Sequence, residues 1–154
     1  MRTAVRDADA MRAWGAALAR LLGPGDLVVL TGSLGAGKTT LAQRIGTGLG
    51  VAGPVVSPTF VIARIYRGGR LPMVHVDAYR LGGVDEVDDL DLDAVVGESV
   101  TVVEWGEGLV ESLTENRLEV RIQRPAGDDE DDDETRTLSV TAVGPRWAGA
   151  DLPA

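Results

Sequence analysis

The chain has 154 residues, 44% of them apolar and 25% charged, which fits one globular domain with a single sizeable core. It has no cysteine, so disulfides, thiolate metal sites and thiol nucleophiles are excluded. The formal charge of −9 is concentrated: seven of the 24 acids form Asp128–Glu134, leaving 17 against 15 basic residues elsewhere, and no basic stripe suited to direct nucleic-acid binding.

In chain order, Met11, Trp14, Leu18, Leu21 and Leu22 recur at helical spacing behind Asp7 and Asp9, either of which can cap the start. Gly23-Pro24-Gly25 stops that helix. Leu27–Leu30 is a continuous apolar run of the kind buried on both faces of a largely parallel sheet. A second helical pattern, Leu41, Ile45 and Leu49, ends near Gly50.

Residues 60–67 and 72–77 read as strands joined through Gly68-Gly69 in a hairpin. Asp85–Asp93 interleaves acids with Val87, Leu90 and Leu92, a pattern of short helical turns facing solvent. Val100–Glu104 is an apolar strand ending in a carboxylate. Residues 117–124 and 135–143 alternate with period two and form a second, antiparallel hairpin whose loop, 127–134, carries the acidic run. The expectation is an α/β P-loop fold with a mixed central sheet flanked by helices: one domain over residues 1–144, and a loose tail over 145–154. No segment looks like a signal peptide or membrane span, so a cytoplasmic protein is expected.

Between the first apolar strand and the second helix stands Gly32-Ser33-Leu34-Gly35-Ala36-Gly37-Lys38-Thr39, which fits G-x-x-x-x-G-K-[ST] in its required strand-to-helix setting. The glycines close a tight loop and let backbone N–H groups approach phosphates with no Cβ between, at a helix start whose dipole favours anions. Lys38 is the only lysine among 15 basic residues. A compact ammonium can bridge β- and γ-phosphates where arginine's planar fork would not fit. The loop residues Leu34 to Thr40 are thus the candidate nucleotide cradle, and the Thr39 hydroxyl the candidate Mg²⁺ ligand.

Carboxylates at neighbouring strand ends must complete such a site, and Asp77 and Glu104 stand at those ends. His75 shares a face with Asp77 and reads as a partly exposed strand histidine rather than a catalytic one. Trp105 follows Glu104 directly; packing is its default, with a place beside the nucleotide as the alternative.

GSLGAGKTT at 32–40, SPTF at Ser57–Phe60, HVDAYRL at His75–Leu81 and VVEW at Val102–Trp105, in that order, resemble the TsaE (YjeE) family. The resemblance spans about residues 5 to 125. It implies a small bacterial P-loop ATPase required for threonylcarbamoyladenosine modification of tRNA. ATP would bind at Lys38 and its loop, Mg²⁺ at Thr39 and Glu104, and Asp77 would serve hydrolysis. Thr59 would sense the γ-phosphate, and Arg80 would contact a partner or phosphate, with an ordinary surface ion pair as the alternative. The adenine would lie near the segment before Met11. The family acts as an accessory motor on the TsaB–TsaD pair, through which it meets tRNA. Ser33 departs from the pattern, since many members carry aspartate there.

Three other functions compete. A P-loop small-molecule kinase needs an arginine-bearing lid, and none is obvious after Thr39. A guanine-specific switch needs N-K-x-D, which a chain with no second lysine cannot supply. A nucleotide-sensing module would bind without turnover.

Overall fold

The computed structural model describes residues 1–33, 35–55, 63–78, 97–105, 114–125 and 134–154. Within them, β1 (Arg2–Val5), α1 (Ala8–Leu21), β2 (Leu27–Thr31), α2 (Lys38–Leu49), β3 (Ala63–Tyr66), β4 (Met73–Asp77), β5 (Val100–Glu104), β6 (Arg117–Gln123) and β7 (Arg136–Val143) precede a 3₁₀ turn at Pro145–Trp147.

The strands form one seven-stranded sheet in the order β1-β7-β6-β2-β5-β4-β3. β4, β5, β2 and β6 are mutually parallel neighbours, while β3, β7 and β1 add antiparallel edges. This is the expected mixed α/β fold. The short strand β1 was not anticipated: four residues, an arginine, a threonine, an alanine and a valine, with alternating burial lack a strong apolar signal, and pairing with β7 recruits them.

Alternation assigns each strand a face. Val28, Leu30, Val100, Val102, Leu118, Val120, Ile122 and Leu138 point to the side carrying α1 and α2, where Trp14, Leu18, Leu41, Ile45 and Leu49 complete the core. The opposite side of β2, β4 and β5 is equally dry, with Leu27, Val29, Val74, Val76 and Val103 at 0% exposure, which explains the unbroken apolar runs.

Helix α1 begins at an Asp7 cap whose carboxylate accepts from Ala10 N at 2.8 Å. Its close approach to α2 depends on glycine: a Cβ on Gly48 would lie 2.6 Å from Ala19 Cβ. Helix α2 ends where Gly50, at φ 77°, donates to the Gly46 and Thr47 carbonyls.

The segment from Pro145 departs from the expected loose tail. Trp147 is 4% exposed, Leu152 and Ala150 pack on the core, and Pro153 O accepts from Trp14 Nε1 at 3.1 Å. Arg146 reaches the Leu21 carbonyl and the buried Asp26 carboxylate. One large aromatic among small residues is a weak sequence signal, yet burying it offsets the cost of ordering the rest.

Asp85–Asp93 and Asp128–Asp133 lie outside the described residues. Among the described residues, no helix is long and apolar enough to cross a membrane.

Candidate functional site

Because β2, β4, β5 and β6 run parallel, Thr31, Asp77, Glu104 and Gln123 end at the same edge of the sheet. Ligands of open α/β sheets lie beyond the carboxyl ends of the strands, and here the glycine-rich loop leaves β2 at that edge. Gly32 has no room for a side chain, since a Cβ would meet the Ile122 carbonyl at 2.5 Å. Gly37, at φ 113°, occupies the α2 cap position without any side-chain cap, so no side chain competes for the first N–H groups of α2. Two arginines of the distal hairpin tie loop carbonyls back: Arg124 donates to Gly35 O and Arg136 to Ala36 O, each at 3.2 Å. Neither arginine was singled out from the sequence, because each lies more than eighty positions from its partner.

Lys38, 5% exposed, folds back over the loop it follows. Its Nζ donates to Gly32 O and Ser33 O, both at 2.9 Å, and lies 3.9 Å from the centroid of the Trp105 ring. Burial pushes its ammonium below the ordinary 10.5, while the carboxylates of Glu104 and Asp77 pull in the opposite direction. Trp105 holds this position with φ at 62°, a conformation costly for a bulky residue, with its N–H donating to Leu30 O.

Glu104 lies 4% exposed at the end of β5. Its Oε1 accepts from Thr39 Oγ1 at 3.0 Å, and its Oε2 stands 2.6 Å from His75 Nε2. Thr39 is the second residue of α2, so the bond ties the helix start to the strand end. Asp77 pairs with Glu104 across β4 and β5, and Ala78 N donates to Glu104 O. The structure therefore brings Lys38, Thr39, Asp77, Glu104 and Trp105 together. His75 departs from expectation: it is 0% exposed and bonded to Glu104, rather than partly exposed. Leu34, Thr59 and Arg80 lie outside the described residues.

Glu104 and Thr39 supply hard oxygen donors within reach of one ion. Among the described residues no three His, Asp or Glu side chains gather around a cation position. Carboxylate and hydroxyl oxygens are the donor type that Mg²⁺ takes, alongside waters and substrate phosphates. A cleft of about 160 Å³ opens beside the loop, between Asp7, Ala8 and Met11 of the α1 start and Gly37 and Thr40 of α2.

The family described as threonylcarbamoyl adenosine biosynthesis protein TsaE matches residues 5–135. A Streptomyces coelicolor protein named tRNA threonylcarbamoyladenosine biosynthesis protein TsaE is 60% identical over 145 residues, covering 92% of this chain and 97% of its own. A Bacillus subtilis protein of the same name is 46% identical over 125 residues, covering 80% and 74%. The crystal structure of Bacillus subtilis YdiB superposes with a TM-score of 0.75 at 34% identity, over 97% of this chain and 89% of that one. Family model, relatives and fold agree: the chain belongs to the TsaE family of tRNA threonylcarbamoyladenosine biosynthesis proteins.

Proposed function

We propose that the chain is a Mg²⁺-dependent ATPase that serves N6-threonylcarbamoyladenosine formation on tRNA by acting on a TsaB–TsaD pair. The observation that carries this reading is the cluster at the carboxyl edge, where Thr39 Oγ1 meets Glu104 Oε1 at 3.0 Å beside the buried ammonium of Lys38. Amides of residues 35–40 face the ATP phosphates, and Lys38 exchanges its contacts with Gly32 and Ser33 for β- and γ-phosphate oxygens. The cleft beside Met11 takes the adenine. Thr39 and Glu104 would hold Mg²⁺, which would supply neutralisation of charge on the phosphate oxygens.

Asp77, half-buried beside Glu104, orients a water toward the γ-phosphorus. The water oxygen forms the new P–O bond as the bond to the β-phosphate oxygen breaks, giving ADP, phosphate and a proton. Trp105 keeps Lys38 in place through its ring face.

The test is phosphate release from ATP with and without Mg²⁺, in the presence of TsaB and TsaD, together with a pull-down of that pair with and without ATP. Metal-dependent release and ATP-dependent capture are expected. Phosphate appearing on a small acceptor would favour a kinase instead, and binding without any release would favour a sensor module.

A further inference from the structure

The ring of His75 lies wholly inside the protein, and its only hydrogen-bond contact among the described residues is Glu104. A carboxylate offers acceptors alone, so the 2.6 Å contact requires the proton on Nε2, donated to Oε2. Nδ1 meets no hydrogen-bond partner among the described residues. The other Glu104 oxygen accepts from Thr39, so both carboxylate oxygens are restrained: one by a side chain of β4, one by the start of α2. Register makes this possible. His75 pairs with Val102 and Asp77 with Glu104, which puts the imidazole two residues back from the strand ends on the face that Glu104 shares.

We propose, resting on the nucleotide-site reading above, that His75 is a positioning residue for Glu104. It fixes the carboxylate so that Oε1 stays turned toward Thr39, and thereby sets the affinity of that pair for a divalent cation. A free glutamate would lose the freedom of three torsions on meeting the ion; the bond to His75 removes most of that freedom beforehand. Replacing the ring by an apolar side chain would leave Oε2 without its donor in a buried setting, and the carboxylate would turn to satisfy it elsewhere. Residues that orient metal ligands in this way typically change metal affinity by about 10- to 100-fold when removed.

The experiment uses the full chain with Mn²⁺ as a spin-resonance probe and a non-hydrolysable ATP analogue, and compares wild type with His75→Leu, His75→Asn and His75→Gln. The Gln amide can reach the place of Nε2; the shorter Asn amide cannot. Expected for His75→Leu and His75→Asn is Mn²⁺ retention weakened about 10- to 100-fold, with analogue affinity in EDTA unchanged. His75→Gln should recover most of the loss. In a Glu104→Gln background, His75→Leu should add nothing further.

Wild-type Mn²⁺ affinity in His75→Leu or His75→Asn would overturn the proposal alone, as would Gln performing no better than Asn. So would equal losses of metal and of metal-free nucleotide binding, since that pattern marks a packing role. Wild-type protein that binds no analogue at all would remove the nucleotide reading, and this inference with it.

Discussion

Lys38 is placed by three contacts, two carbonyls and one ring, before any phosphate arrives. Lys38→Ala should weaken ATP binding by about 30- to 150-fold, the span of a lost charge-assisted hydrogen bond at about 2–3 kcal/mol. Isothermal titration checks this, and unchanged affinity would reassign the side chain. Its lowered pKa has a second consequence. Folding is disfavoured by the buried ammonium at low pH, and this cost fades as pH rises from the lowered value toward 10.5, because the unfolded chain holds more protons in that window. At about pH 9 the free amine should also be more populated than that of an ordinary lysine. Acylation followed by mass spectrometry reads this at the chain's one ε-amine, and ATP should slow it. The loop and its lysine were legible because a contiguous motif contains them. The role of His75 was not, because its partner Glu104 lies 29 positions away and strand alternation says nothing about which buried group will be opposite.

At the scale of elements, α1 and α2 meet where Gly48 faces Ala19, with Ala16 Cα 3.1 Å from a hypothetical Cβ on Gly48. Gly48→Ala gains about 1 kcal/mol of helix propensity but forces the helices apart, at about 1–3 kcal/mol. The variant should be less stable by about 1 kcal/mol, read from urea unfolding; a stabilised variant would show that the helices yield freely. Helices and central strands were readable from period and apolar runs, because each buries a whole face or stripe. The second hairpin was readable by alternation, with Leu118, Val120 and Ile122 inward on β6. What escaped was pairing that depends on a distant strand. β1 exists as part of the sheet because β7 offers it an edge, and nothing within Arg2–Val5 announces that.

Over the whole molecule, the C-terminal segment closes on the same core as α1, through Trp147, Leu152 and the bond from Trp14 to Pro153. Trp147→Ala should cost about 3–5 kcal/mol, the loss typical of a buried aromatic, seen as a lower urea midpoint with an unchanged slope. A midpoint equal to wild type would mean the segment adds nothing to the fold. The sheet's register carries one more consequence. Asp77 and Glu104 come side by side because β4 and β5 advance in step. Side chains on a strand point alternately to opposite faces, so one residue inserted between Val100 and Glu104 would swing the glutamate to the far side. Such a chain could keep its secondary structure and lose its carboxylate from Thr39 and His75 together. Counting by twos along β5 is therefore as strict a requirement on this protein as the letters of its loop.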